Sequence, residues 1–374
     1  GGALRHEPGS VWGATVLVSG TAVGAGVLAL PAVTAPAGFV PSTAALVGCW
    51  AYMAATGLLI VEVNIATLCS VSEGGGTGIV SMARRTLGAP GTRFAWGAYV
   101  FLHYCLLVAY ISRGGQAIEV ATGLSPAVGG AAFAAAVGGA CYFLQPKVLD
   151  GLNGALFAGV VGSFGVCLVA AGGQASAENL AHADWGAVTG ALPVIALSFV
   201  YQNIVPTVVT SLEGDVAKIR TALLGGTAVP LVMFLLWEAA ALGAAPPGSA
   251  VDPLRSLSEA GLGGFVETFS LLAVTTSFVG FVLGLSDFLA DGLGLPTGRQ
   301  PLPYALTLVP PVVFAALQPD VFLDALDVAG TFGVLTLFGV MPAAMAYSER
   351  YLGNAGTGEA PSLAAARAQR MVPG

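Results

Sequence analysis

Charged residues are what this sequence has least of. Only 9% of its 374 residues are Asp, Glu, Lys or Arg, whereas soluble domains carry about 25%. A soluble protein of this length exposes more surface than so few charges can cover, which excludes a soluble globular fold. Disorder is excluded as well, because disordered chains combine low hydrophobicity with high charge, and this chain is 56% hydrophobic. A helical membrane protein embedded in a lipid bilayer is the class that remains.

Motifs for metal binding, catalysis and nucleotide binding are also missing. The five cysteines form no C-x-x-C pair and are interpreted as small buried hydrophobes, and the three histidines lie too far apart for ligand spacing. The glycine run at 74–78 lacks the Gly-Lys-Ser/Thr of a P-loop. Asp287 and Asp291 could share a helix face, but no nucleophile–base pair is visible. We therefore predict no metal, no cofactor and no enzyme, with a membrane-embedded enzyme as a remote alternative.

Ten apolar segments can be marked, and a helix of about 20 apolar residues crosses a bilayer. None shows the alternation of a membrane β-strand. The segments are 12–39, 41–67, 94–118, 124–145, 149–172, 187–212, 220–244, 264–290, 301–318 and 322–347.

The basic residues support this segment map. Ten crossings put both termini on one side, and 11 of the 13 Lys and Arg residues fall there, leaving Arg113 and Arg255 on the other. Such an excess is typical of the cytoplasmic side or its topological equivalent, the stroma. The basic residues form no patch, so we expect no nucleic-acid partner. The sequence gives no indication of oligomeric state.

The segments divide into two halves of nearly equal length, 12–172 and 187–347. Five crossings per half make the second half enter the membrane from the opposite side, which predicts an inverted five-plus-five repeat. Cytoplasmic tails are expected at 1–11 and 348–374. The chain begins Gly1-Gly2 without a methionine, so any targeting peptide would lie upstream.

Segments one and six, equivalent in the two halves, are both interrupted. Segment one contains SGTAVGAG at 19–26, and segment six contains FVYQNIVP at 199–206. A broken helix frees backbone N–H and C=O groups that lipid cannot satisfy, so the break must line a cavity. Paired breaks at equivalent positions indicate a transporter's substrate site. The alternatives are a close helix contact at Gly20-x-x-x-Gly24 and interhelical hydrogen bonds from Gln202 and Asn203.

Three stretches resemble the aromatic amino acid permeases, the tryptophan/tyrosine permease family. The run GTAVGAGVLALP at 20–31 is similar to the family signature. The runs SFVYQNIVPTVVTSLEGDVAKIR at 198–220 and LSDFLADG at 285–292 are similar to its plant and algal branch. The resemblance covers nearly the whole chain. It implies the leucine-transporter-like inverted repeat of the amino acid–polyamine–organocation superfamily, with helices 1 and 6 interrupted.

The resemblance also implies a function and a location. Members take up aromatic amino acids, usually with protons, and the plant and algal branch implies the plastid inner envelope as one location. Family members usually have eleven helices, whereas the tail after Tyr347 is polar, so the eleventh is absent from this sequence. Bacterial members tend to have a histidine-containing stretch where this chain has Tyr201-Gln202-Asn203, which leaves the preference among tryptophan, tyrosine and phenylalanine open.

The substrate-binding residues follow from the paired breaks and the resemblance. Backbone N–H groups of the first break are expected to hold the α-carboxylate, and carbonyls of the second to meet the α-amino group. Aromatic side chains nearby are expected to border the substrate. The predicted set is Gly20, Thr21, Ala22, Val23, Gly24, Ala25, Gly26, Tyr104, Tyr110, Phe199, Val200, Tyr201, Gln202, Asn203 and Phe281.

Ion coupling is expected from a second set. In the superfamily, hydroxyls of segment eight face the first break and can bind sodium, so Thr276 and Ser277 leave Na⁺ open although the family favours H⁺. Glu62 and His103 are candidates for proton transfer. Helix back-bonding for the hydroxyls, snorkelling for Glu62 and packing for His103 are the structural alternatives. The predicted set is Gly20, Val23, Thr276, Ser277, Glu62 and His103.

Together these features predict a secondary active transporter for tyrosine and tryptophan that works by proton symport and alternating access. The alternative is a sodium-coupled transporter of another neutral amino acid.

Overall fold

The computed structural model describes residues 9–24, 26–70, 78–244, 261, 263–295 and 299–352. Within these ranges the regular structure is helical, without a strand. The predicted all-α integral membrane fold is confirmed. The helices are α1 (Val11–Ala22), α2 (Gly26–Thr34), α3 (Phe39–Ser70), α4 (Ile79–Thr122), α5 (Pro126–Phe143), α6 (Pro146–Gly172), α7 (Ala177–Leu180), α8 (Val188–Ser198), α9 (Val205–Ser211), α10 (Val216–Ala244), α11 (Gly263–Gly292), α12 (Pro301–Leu317) and α13 (Phe322–Leu352).

Ten helical units correspond one to one with the ten predicted segments. In the described part of the chain, eight spans are long and apolar enough to cross a bilayer, and α8 and α9 count together as one of them. A ninth is the pair α1 and α2, bent by 54°. The apolar α12 has 17 residues and falls on the predicted segment 301–318. The inverted five-plus-five repeat over 12–172 and 187–347 stays a prediction.

Two helices extend beyond their predicted segments. Helix α4 begins at Ile79 rather than near 94 and is kinked at Gly88, where φ is 68° and ψ is −157°. The added stretch places Arg85 on a helix, where it is buried against Glu349. Helix α13 runs to Leu352 rather than 347. Its last turns are held by ion pairs to residues far away in sequence, which local composition does not reveal.

The two interrupted helices pack against each other through α2 and α8. Helix α2 packs on α8, and α8 packs on α3 and on the π-helical middle of α13 at Ala329–Val340. Close contact between α8 and α13 requires Gly330, because a Cβ there would lie 2.3 Å from the Pro193 carbonyl oxygen. Helices in a bilayer associate by close packing and not by the hydrophobic effect, so small residues at contacts matter.

Candidate functional site

The first break separates α1 from α2 at the predicted position. Helix α1 ends at Ala22, and Val23 adopts an extended conformation with φ −84° and ψ 95°. Helix α2 starts at Gly26, and the Val27 N–H donates to the Gly24 carbonyl at 3.2 Å. The first N–H groups of a helix have no partner within it, so the start of α2 offers donors to an anion. Ala25 lies outside the described residues.

The second break separates α8 from α9. Helix α8 ends at Ser198, a 3₁₀ turn covers Gln202–Ile204, and α9 follows. The Gln202 side-chain oxygen accepts from the Tyr201 N–H at 2.9 Å, and its amide donates to the Met53 carbonyl at 3.2 Å. Gln202 therefore ties the break to α3, as the structural alternative for this residue proposes.

A cavity of about 370 Å³ lies between the two breaks. This volume is within the range of about 300–1,000 Å³ typical of small-molecule sites. Helices α4, α6, α11 and α13 complete its wall. The predicted residues that line it are Gly20, Thr21, Ala22, Val23, Gly24, Gly26, His103, Tyr110, Val200, Asn203, Thr276, Ser277 and Phe281.

The glycines of the first break differ in their surroundings. A Cβ on Gly20 would meet nothing within 4 Å, so Gly20 opens to the cavity and makes no close helix contact. A Cβ on Gly24 would lie 3.1 Å from the Ser277 Oγ, and one on Gly26 would lie 2.7 Å from the Ser198 Oγ. The first break thus packs directly against α11 and against the second break.

Aromatic rings form one wall of the cavity. The ring centroids of Tyr99 and His103 are 4.0 Å apart, and those of His103 and Phe281 are 5.0 Å apart. Tyr110 follows at 5.7 Å from Phe281. Rings at these separations attract one another in offset or edge-on arrangements, and a ligand ring can join such a group.

His103 also offers a hydrogen-bond acceptor in this wall. Its Nδ1 lies 2.8 Å from the Tyr99 carbonyl oxygen. A carbonyl only accepts, so in the neutral ring Nδ1 carries the hydrogen and Nε2 has the lone pair. The Nε2 atom lies 3.8 Å from where a Cβ on the cavity residue Gly284 would be. The cavity can therefore bind a ligand ring that carries an N–H or O–H.

The hydroxyls of α11 lie beside the first break. Thr276 Oγ1 donates to the Ala273 carbonyl at 3.0 Å, which is the helix back-bond of the structural alternative. A hydroxyl that donates to its helix still has lone pairs for a cation. The Asn153 side chain of α6 lines the same cavity, and its buried Oδ1 has no hydrogen-bond partner in the described part of the protein.

Several lining residues could not be predicted from sequence, because each is a common residue type within an apolar run. A lone polar side chain in a membrane segment was the available signal for Asn153. The missed residues include Tyr99, Asn153, Phe157, Ser198 and Phe338.

Four predicted substrate residues lie outside the cavity wall. The Tyr104 hydroxyl donates to the Leu306 carbonyl of α12 at 2.8 Å. Phe199 is buried with its ring centroid 5.2 Å from that of Phe234. The buried Tyr201 directs its hydroxyl to the carbonyl oxygens of α3, and Gln202 binds the same helix. Phe199, Tyr201 and Gln202 therefore support the second break on the side that faces away from the cavity.

Glu62 also lies away from the cavity. Arg350 binds both of its carboxylate oxygens, with 2.7 Å between Nε and Oε1. Glu349, the residue before Arg350, pairs with Arg85, with 2.8 Å between the Glu349 Oε1 and the Arg85 Nη2. These pairs connect α13 to α3 and α4.

Outside the membrane, Asp215 joins α9 to α10. Hydrogen bonds from the Lys218 backbone and side chain hold the pKa of Asp215 below its usual value.

Comparison with known proteins finds relatives that are named as amino acid transport proteins. The model of the tryptophan/tyrosine permease family matches residues 7–357. The tyrosine-specific transport system 2 of Haemophilus influenzae is 33% identical over 91% of this chain and 88% of its own. A tryptophan-specific transport protein of Pseudomonas aeruginosa is 29% identical, with 91% and 87% covered. The glutamine transporter 2 of Aliivibrio fischeri is 26% identical, with 91% and 89% covered.

Proposed function

The chain belongs to the tryptophan/tyrosine permease family of membrane transport proteins, and on this premise we propose that it carries aromatic amino acids across the membrane. The observation that carries the proposal is the cavity between the two helix breaks, with aromatic rings and the His103 acceptor on one wall. A free amino acid with a ring matches this combination. Relatives named for tyrosine and tryptophan support the same substrate class.

The amino acid is oriented by the two breaks. Its α-carboxylate binds the N–H groups at the start of α2, where the helix dipole favours negative charge. Its α-amino group meets the carbonyls that the second break frees. Its side-chain ring lies against Phe281 and Tyr110. A phenol O–H or an indole N–H then donates to His103 Nε2.

Transport follows from alternating access to this cavity, driven by a proton gradient. Helices α1 and α2 change their angle about the first break, so the cavity opens to one side at a time. The basic residues predict that both termini face the cytoplasm, or the stroma in a plastid inner envelope.

A sodium-coupled transporter of another neutral amino acid is the second candidate. The relative named a glutamine transporter supports a broader substrate range within this similarity. The hydroxyls of Thr276 and Ser277 beside the first break supply the oxygen ligands that sodium needs.

Uptake into proteoliposomes tests both candidates. Labelled tyrosine, tryptophan and glutamine are supplied under a pH gradient and, separately, under a sodium gradient. We expect accumulation of the aromatic amino acids under the pH gradient alone. Accumulation of glutamine under sodium alone would favour the second candidate, and no uptake of any aromatic amino acid would refute the first.

The aromatic wall is tested with Phe281→Leu. A ring pair contributes about 0.5–1.5 kcal/mol, so KM for tyrosine should rise about two- to twelvefold. Phe143→Leu is the matched control, because Phe143 is 79% exposed on the outside of α5. An equal change in both variants would contradict the proposed position of the substrate ring.

A further inference from the structure

Glu238 is a buried carboxyl group with no part in the substrate site or in the proposed function. It lies on α10 and is 0% exposed. Its Oε2 is 2.6 Å from the Thr34 Oγ1, and its Oε1 has no hydrogen-bond partner in the described part of the protein. Glu62 and Glu349, which are also buried, are both ion-paired with arginines. Glu238 has no such ion pair among the described residues.

The contacts of Thr34 indicate the charge of Glu238. The Thr34 Oγ1 is also 2.7 Å from the Leu30 carbonyl oxygen. A carbonyl oxygen and an ionised carboxylate can only accept, whereas a threonine hydroxyl supplies one hydrogen. With Glu238 ionised, both contacts must share the one hydroxyl hydrogen of Thr34, and a separate hydrogen for each contact requires a second one. A protonated Glu238 supplies the second by donating to the Thr34 Oγ1.

The charges around Glu238 agree with a neutral carboxyl. Helix α10 packs against α1, α2, α3, α6 and α7, and α1 and α2 have no titratable side chain. The ionisable side chains that the structure describes on the other three helices include Glu62, Lys147 and Glu178, with the thiols of Cys49 and Cys167.

The charged groups among these lie far from Glu238 or at the surface. Phe164 of α6 contacts Trp237, and it is about 26 Å along the helix from Lys147. Ser42 of α3 donates to the Thr34 carbonyl, and it is about 30 Å along the helix from Glu62. Glu178 is exposed. His182 follows α7, and its Nε2 contacts the Pro36 carbonyl rather than Glu238.

Glu238 and the residue before it, Trp237, contact the two ends of α2, the half-helix that borders the cavity. The Trp237 Nε1 donates to the Val27 carbonyl at the start of α2, at 3.1 Å. Glu238 contacts Thr34, the last residue of α2. Because α2 moves in the proposed transport cycle, its motion changes the surroundings of the Glu238 carboxyl group.

We propose that Glu238 binds the coupling proton of this transporter. With α2 as in this structure, the carboxyl group holds one proton and hydrogen-bonds to Thr34. When α2 moves, the contact breaks, water reaches the group, and the proton leaves to the opposite compartment. The carboxylate then takes up a new proton as α2 returns. This assignment rests on the proposed function.

Infrared spectroscopy tests the protonation without any transport. The purified protein in nanodiscs should show the carbonyl band of a protonated carboxylic acid at neutral pH. Glu238→Gln should lose this band, because glutamine matches the shape but cannot titrate. The control Glu119→Gln, at an exposed position, should keep it. An unchanged band in Glu238→Gln would overturn the proposal.

Transport assays test the coupling. Accumulation of tyrosine under a pH gradient should fall about tenfold or more in Glu238→Gln. Exchange of labelled for unlabelled tyrosine at equal pH should persist, because exchange needs no net proton movement. Undiminished accumulation, or loss of exchange as well, would overturn the coupling role. Failure of the wild-type protein to transport any aromatic amino acid would refute the proposed function and leave the infrared result standing.

Discussion

A methyl group at Gly26 should strain the contact between the two helix breaks. A Cβ there would lie 2.7 Å from the Ser198 Oγ and 3.2 Å from the Ser198 Cα. The serine cannot turn away freely, because its Oγ donates to the Val194 carbonyl at 2.9 Å. Gly26→Ala therefore forces either a backbone shift or the loss of this hydrogen bond.

The magnitude follows from these two routes. Overpacking of a tight site costs about 1–3 kcal/mol, and a lost hydrogen bond costs about 1 kcal/mol. Part of this destabilisation is offset, because alanine is favoured over glycine in a helix by about 1 kcal/mol. A double-mutant cycle with Ser198→Gly removes that helix term. The cycle should give a coupling energy of about 1–3 kcal/mol between the two positions.

Unfolding of the purified protein, followed by circular dichroism, measures these energies. Gly20→Ala is the matched control, because a Cβ on Gly20 meets nothing within 4 Å. Because Gly20 lies within α1, alanine there should raise stability by up to about 1 kcal/mol, and it should weaken substrate binding because its methyl group enters the cavity. If Gly26→Ala costs no more stability than Gly20→Ala, or if the coupling energy is zero, the two breaks do not pack as described.

Two further predictions concern an ion pair away from the cavity and two tyrosines of α4, of which only Tyr110 lines the cavity. Glu349→Gln should lower the free energy of unfolding by about 3–5 kcal/mol, because it leaves the buried Arg85 without its counter-charge; an unchanged unfolding temperature would contradict this. Tyr104→Phe should leave the kinetics of tyrosine uptake unchanged, because its hydroxyl binds Leu306 outside the cavity. Tyr110→Leu should raise KM in the same assay, because it removes a ring from the cavity wall, and the reverse order would contradict the assignment of Tyr110 to that wall.

The spans could be predicted from sequence because a membrane helix is specified by its own composition and length. Predicted and observed boundaries differ by only a few residues for most helices. The exceptions are the start of α4 and the end of α13. Arg85 and Glu349 hold both ends together from 264 positions apart, and a charged residue beside an apolar run gives no sign of so distant a partner.

The helix breaks could also be predicted, because glycine and proline act locally on the backbone. The cavity-facing side chains depend on how each helix is rotated, which packing decides. On α4 the lining residues Tyr99, His103, Leu106 and Tyr110 recur at helical spacing. Tyr104 follows His103 by one position and therefore points about 100° away. The spacing of seven residues between His103 and Tyr110 already indicates in the sequence that they share a helix face. The same spacing rule places Tyr104 on a different face, outside the cavity.

Sequence alone does not distinguish a buried carboxyl group that is ion-paired from one that is not. Glu62 is conspicuous within its segment, yet Arg350 binds both of its oxygens. Protonating such a group breaks an ion pair, so it serves better to hold α3 against α13 than to exchange protons. Glu238 stands alone in an apolar run and is easily overlooked. It has no counter-charge among the described residues, and burial without a counter-charge disfavours the ionised form until water reaches the group. Whether a buried carboxyl group has a counter-charge is decided by the packed bundle. The counter-charge therefore distinguishes a structural carboxylate from one that can couple proton movement to transport.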